Sequence, residues 1–201
     1  MKEHQDYIKD IAEIRSMMER SSKFLSLSGW AGILAGAYAL AGAWISYSVY
    51  EFNPNEPFYS HGQLHQVILL AIGVFVLALI TAIYFSKRNA NSKGETIWNS
   101  TSQRLIANMA VPVLTGGILI LILISKGLMG LTIPSMLIFY GLSLFVAGNF
   151  TIKEVKLLGI IEIILGLASV FFIEYGLFFW VIGFGVFHII YGTYMHFRYE
   201  R

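Results

Sequence analysis

The chain contains no cysteine, which excludes disulfides, thiolate metal centres and cysteine nucleophiles. Charge is scarce as well. Only 13% of its 201 residues are charged, while 56% are hydrophobic; soluble domains run at about a quarter charged. Those proportions belong to membrane chains rather than to soluble enzymes. No lipidation motif is present. The first 23 residues are polar, so they do not read as a cleavable signal peptide, and the first hydrophobic segment is expected to remain as an anchor. No nucleophile triad, phosphate-binding loop or nucleic-acid module is visible, and no aqueous stretch is long enough to fold alone. Any chemistry therefore belongs to a helical bundle or its rims.

What is present is six hydrophobic stretches, at residues 24–50, 64–86, 105–125, 131–150, 155–173 and 177–197. Each is long enough for a helix to cross hydrocarbon, which takes roughly 17–25 residues. No strand alternation appears, and only helices satisfy the backbone internally within a single-chain bundle in lipid. The expected fold is all-α: a six-transmembrane-helix bundle of three antiparallel hairpins, residues 24–201, preceded by an N-terminal amphipathic helix at residues 1–23. The tight turn Ile173-Glu174-Tyr175-Gly176 marks the last hairpin.

Orientation follows from lysine and arginine. Lys2, Lys9, Arg15, Arg20, Lys23, Lys87, Arg88, Lys93, Arg104, Lys153, Lys156, Arg198 and Arg201 all fall on one side, and Lys126 alone on the other. The positive-inside rule then predicts both termini in the cytoplasm. Trp44, Tyr47, Tyr50 and Trp180 fall near the outer boundary, where amphipathic rings anchor. In the N-terminal arm Tyr7, Ile11, Ile14 and Met18 form one stripe, with Lys9–Glu13 and Glu19–Lys23 as wet-face pairs. That helix suits the inner leaflet, or docking to a second copy or a membrane partner. The basic loop 87–104 allows a helix from Glu95 onward. In the first outer loop, Ser60 is a candidate N-cap with Gln63 at the third position. His61 and His65 then stand one turn apart, a spacing that can share a metal with Glu51 or Glu56 nearby, although the full metalloprotease pattern is absent.

Glycines recur at a spacing of seven in four spans: Gly29/Gly36, Gly141/Gly148, Gly159/Gly166 and Gly185/Gly192. Seven residues return to the same helix face. Gly32 and Gly36 add a small-xxx-small pair, and small residues let helices approach closely in lipid. Pro112 predicts a kink in the third span and Pro134 an outer start to the fourth. Two of the glycine frames, "GIIEIILG" (159–166) and "GVFHIIYG" (185–192), each hold one ionisable residue at the fourth position: Glu162 and His188. Gly159, Glu162, Gly166 and Ser169 share a stripe, so Glu162 is expected to face protein. Counted from the hairpin turn at about 1.5 Å per residue, Glu162 and His188 lie at one depth. A hairpin whose glycine faces meet would join them. An ionised carboxylate there costs roughly 2.5–3.5 kcal/mol on insertion scales, so it needs a partner, water or a proton. A Glu–His pair can share one proton and change state near physiological pH, or can serve only as a hydrogen bond fastening two helices. Asn108, Thr115, Ser143 and Asn149 are further candidates for such a network. Bis-histidine haem is excluded, because His61 and His65 sit at one rim and His196 at the other; no cofactor is expected.

The stretch "LLGIIEIILGLASVFFIEYGLFFWVIGFGVFHIIYG" resembles the helical hairpin repeated in the acid-resistance membrane protein HdeD family, a Gly-rich helix, a short turn and a second Gly-containing helix. "GWAGILAGAYALAGAW" has a similar opening. The resemblance covers a quarter to a third of the chain, and the long N-terminal arm and the 87–104 loop depart from it. It implies three hairpins in a bacterial inner membrane and a role in envelope stress, and it supplies no catalytic residues. The chain also resembles other small six-span bacterial membrane proteins. The expected function is a non-enzymatic accessory, sensor or stress protein with a Glu162–His188 core. A small proton-coupled carrier or channel using the same two residues is the alternative. A membrane-embedded metalloenzyme built on the outer Glu/His cluster is the third class.

Overall fold

A computed structural model describes residues 23–24, 26–52, 61–94 and 96–200. The expected amphipathic helix, apart from Lys23, lies outside the described residues, as do Glu56 and the expected N-cap Ser60. Every described element is helical. They run α1 (Gly29–Ser48), α2 (His61–Ser92), α3 (Ser100–Ser125), α4 (Thr132–Ala147), α5 (Lys153–Phe171) and then a sixth rod. That rod is composite: α6 (Gly176–Trp180), a π-helical stretch (Val181–Phe187), α7 (His188–Met195) and a second π-helical stretch (His196–Glu200). Short 3-10 turns at Met129–Leu131 and Ile173–Tyr175 join α3 to α4 and α5 to α6.

Five of these rods are long and apolar enough to cross a membrane. The exception is α5, whose 19 residues cover about 28 Å at 1.5 Å each but include Lys153, Glu154, Lys156 and Glu162. Between their polar ends the outer surfaces of α2 and α3 are largely apolar: Leu69, Phe75, Ile80, Val111, Leu114 and Leu121 are all exposed. Water would not tolerate a girdle of that size, and hydrocarbon is its natural solvent. Length, composition and surface together mark a membrane protein.

Several boundaries differ from the sequence expectation; α1, for one, begins at Gly29 and not at Phe24. α2 continues to Ser92 instead of stopping near Ser86. α3 does not begin at Glu95. Asn99 caps it at Ser100, its side chain accepting from the Ser102 N–H at 2.8 Å while the Ser102 hydroxyl accepts from the Asn99 N–H at 2.9 Å. This reciprocal box satisfies two backbone donors at once and sets the start. Pro134 lies in the first turn of α4, where a missing N–H costs nothing.

The rods form two groups of three. α1 packs on α2 and on the sixth rod, α4 packs on α3 and α5, and the sixth rod also touches α4 and α5. Glycine permits the closest approaches. A Cβ on Gly159 would stand 2.6 Å from the Gly141 carbonyl oxygen, and one on Gly192 2.5 Å from that of Gly29. Gly36 sits against Gly185, Gly32 against Gly192, Gly148 against Lys156, and Gly166 against Ile138. The frames of the fifth and sixth spans therefore do not meet each other. Gly159 and Gly166 receive α4, whereas Gly185 and Gly192 receive α1.

Hydrogen bonds tie one end of the bundle together. The Phe24 N–H donates to Phe150 O at 2.7 Å, and the Thr151 hydroxyl donates to Phe24 O at 2.6 Å. Asn89 Nδ2 donates to Leu27 O. The Gly29 N–H, first in α1, donates to Glu200 Oε1 at 2.9 Å. A carboxylate at a helix N-terminus also meets the favourable end of the helix dipole.

Candidate functional site: a buried Glu–His–Tyr cluster

Glu162 and His188 meet in the middle of the bundle. Glu162 Oε1 lies 3.4 Å from His188 Nδ1, with the two side chains 0% and 7% exposed. The common depth counted from the turn agrees with this contact. Its packing basis does not: Glu162 faces Gly183, not a glycine of the 185–192 frame. A Cβ on Gly183 would sit 2.5 Å from Glu162 Oε2. The bare backbone of Gly183 is what makes room for the carboxyl group.

The contact falls within ion-pair distance, yet neither Glu162 oxygen has a hydrogen-bond partner. Geometry explains the difference. His188 Nδ1 is aimed at the Gly183 carbonyl at 3.0 Å, so the proton on Nδ1 is directed there and not at the carboxyl. The other ring nitrogen, Nε2, lies 2.8 Å from the Tyr140 hydroxyl. A carbonyl oxygen only accepts, so Nδ1 must carry a hydrogen. In the neutral ring Nε2 then accepts from Tyr140. In the charged ring Nε2–H donates to the Tyr140 oxygen. The assignment rests on the bonding partners of the ring. It leaves Nε2 as the atom where the histidine gains or loses charge.

The π-helical stretch prepares this arrangement. Seven residues, Val181–Phe187, wind with the wider repeat and end at His188. The backbone N–H of His188 goes to Gly185 O, while its ring takes the carbonyl of Gly183, five residues back. Isolated π segments in helices are frequent at functional sites. Aromatic rings enclose the imidazole. Phe184 lies 5.9 Å from it and Tyr140 5.4 Å, and Trp180 stands 5.4 Å beyond Phe184.

The other expected polar residues bond elsewhere. Asn108 donates to Arg104 O and Thr115 to Val111 O, each within its own helix. Buried Ser143 donates to Met109 O, joining α4 to α3. Asn149 accepts from Lys156 Nζ. His65 is exposed at the start of α2, and His61 is the first residue of that helix. No group of three or more potential ligands that could hold a metal occurs among the described residues.

Tyr140 and Gly183 were not singled out by sequence. Tyr140 had one available signal. A tyrosine three residues beyond Leu137 on the buried side of an apolar helix needs a partner for its hydroxyl. Gly183 had none beyond its presence in a glycine-rich segment.

A second polar group lies near the tied end. Glu154 Oε1 accepts from the Tyr199 hydroxyl at 3.1 Å and stands 3.5 Å from Arg198 Nη1. His196 Nδ1 pairs with Glu200 Oε2 at 2.9 Å, and its ring packs edge-on against Trp30. Fold and site define an all-helical membrane protein with a protonatable cluster sealed in its core. No protein family, curated protein or solved structure matches the chain.

Proposed function

We propose that the protein is a six-span integral membrane protein of the bacterial inner membrane, with both termini in the cytoplasm. It acts as a non-enzymatic sensor or accessory component of the envelope-stress type, with Glu162 and His188 as its proton-responsive element. One observation carries this reading. A fully buried carboxyl group with no hydrogen bond stands 3.4 Å from an imidazole whose two nitrogens are both engaged. A pair kept only to fasten two helices would be fully bonded, because an unpaired buried polar group costs roughly 1–3 kcal/mol. Here the carboxyl bears that cost and has a ready use for a charged neighbour. When Nε2 gains a proton, the ring becomes a cation whose Nδ1 stands 3.4 Å from the carboxyl oxygen, within ion-pair range.

The distribution of thirteen of the fourteen basic residues supports the orientation, and the resemblance to the HdeD hairpin supports the stress role. The carrier alternative draws on the same unpaired carboxyl group, since ion-coupled carriers keep such groups at mid-membrane. Trp180 offers the test, because its ring reaches the imidazole through Phe184. In a variant keeping Trp180 as the sole tryptophan, emission should change between about pH 5 and pH 8. Glu162→Gln and His188→Gln should each flatten that change. Loss of melting temperature alone, with emission still following pH, would make the pair a structural clasp. Proton flux into liposomes that Glu162→Gln abolishes would select the carrier.

A further inference from the structure

At the end away from the tied one, the packing leaves a space. A cavity of about 90 Å³ is walled by α1, α2, the end of α3, the start of α4 and α6. Its floor is closed, since Gly42, Ala43, Thr132 and Ile133 are buried. Its other side is not, since Leu64, Val67, Ile68 and Ile124 line it and stay partly exposed. Helix packing accounts for the gap. α2 rests mainly on α1, and α3 mainly on α4, so nothing draws these two outer helices together. Leu69 and Ile72, which alternate with lining residues along α2, are exposed, so the open side continues into the lipid-facing surface.

Water suits this space badly. A water needs two to four polar partners, and the only side-chain hydroxyls in the lining are those of Ser46 and Thr132. Thr132 already donates its hydroxyl to Met129 O at 2.7 Å. A hydrocarbon chain needs no such partners, and it restores the dispersion contacts that an unfilled void forfeits. A chain gains little, however, by leaving bulk lipid, which is as apolar as leucine. Retention therefore needs a second attachment at the mouth of the cavity. Lys126, the C-cap of α3, lies between the lining residues Ile124 and Met129 and is exposed. It is the one lysine or arginine that the sequence puts on this side. Glu51 directly precedes Phe52, another lining residue, and is exposed as well. Neither enters an ion pair among the described residues. A cation and an anion at one mouth match a headgroup that carries both a phosphate and an ammonium.

We propose that this cavity binds one acyl chain of a zwitterionic phospholipid with a primary ammonium, Lys126 meeting its phosphate and Glu51 its ammonium. Binding needs the bilayer but not the proton response of the Glu162–His188 pair. Trp180 lines the cavity, so its ring touches the chain and reports occupancy.

The test uses the full chain with Trp180 as its sole tryptophan, in phosphatidylcholine nanodiscs doped with phosphatidylethanolamine that carries brominated acyl chains. Bromine quenches tryptophan emission at close contact. Quenching should exceed severalfold what the brominated share of the lipid explains, and it should saturate. Brominated phosphatidylcholine, whose ammonium has no hydrogen to donate, and brominated phosphatidylglycerol, which has no ammonium, should each quench only in proportion to their share. Lys126→Ala and Glu51→Gln should each lower the preference about fivefold, the scale of one charged contact at a membrane surface. Ala71→Phe fills the cavity from an exposed position of α2 and should abolish the excess. Ile72→Phe, outside the lining on the same helix, should leave it intact. Proportional quenching by brominated phosphatidylethanolamine overturns the site, whether water or the chain's own residues 53–60 then occupy the space. An excess that survives Ala71→Phe and both charge variants overturns it too, as does stronger quenching by brominated phosphatidylglycerol. Either result leaves the proton response of the Glu162–His188 pair untouched.

Discussion

The two glycine-framed segments, 159–166 and 185–192, share a pattern and differ in almost everything the pattern does not specify. The first lies in a straight α-helix and seats its glycines against α4. The second follows a π-helical stretch and seats its glycines against α1. Glu162 has no hydrogen bond, whereas both nitrogens of His188 are engaged. A glycine frame therefore sets how closely a neighbouring helix can come. What an ionisable residue inside the frame does is decided by the third helix across from it.

The largest effect that would break the comparison is a bulky residue at the frame glycines. Gly192→Ile and Gly159→Ile place side chains against backbone of α1 and α4. Each should cost about 3 kcal/mol or more in unfolding titrations, the upper range of overpacking. Gly73→Ile and Gly117→Ile, where nothing lies within 4 Å, should cost well under about 1 kcal/mol by comparison. Equal costs at all four positions would remove the packing role assigned to the frames.

Next come the polar residues themselves. His188→Ala strands the Tyr140 hydroxyl and withdraws a donor from Gly183 O, a loss of about 2 kcal/mol beyond the cavity it leaves. Glu162→Gln removes a group that has no bonds to lose, so its stability should move by less than about 1 kcal/mol while the pH response disappears. The reverse ranking in a thermal or denaturant titration would show that Glu162 is the structural partner. Gly183→Ala sits between these. Its Cβ would displace the carboxyl group, costing about 1–2 kcal/mol and shifting the pH at which Trp180 responds. Smallest is Glu200→Gln at the tied end. It keeps an acceptor for the Gly29 N–H but loses the charge at the start of α1, an effect of about 0.5 kcal/mol readable in hydrogen exchange of the first turn.

Much of this was legible in the residues. Hydropathy located the helices because a long apolar stretch has few alternatives to a helix in lipid. The stripe Gly159, Glu162, Gly166 and Ser169 placed Glu162 inside, and counting from the turn gave its depth, because helical rise is nearly invariant. Rotation about the helix axis was not legible. Periodicity shows that a face is buried but not which neighbour buries it, so the residues left open whether the two glycine faces meet each other, and in the structure they meet α4 and α1 instead. The π-helical stretch was hidden because it differs from an α-helix by a single hydrogen-bond step, and "VIGFGVF" carries no mark of it. The start of α3 was misplaced because Asn99 and Ser102 read as loop polarity until their reciprocal bonds are seen.

The central claim is that His188 holds its Nδ1 proton for Gly183 and changes charge at Nε2, facing Tyr140. Nitrogen NMR of the labelled His188 ring in lipid, followed from about pH 4 to pH 9 across the range where an imidazole titrates, measures this directly. The expected spectrum shows Nδ1 protonated throughout, with Nε2 changing from a hydrogen-bonded acceptor to a protonated nitrogen as pH falls. An Nε2–H tautomer at neutral pH, or ring shifts that do not move across the whole range, would contradict it.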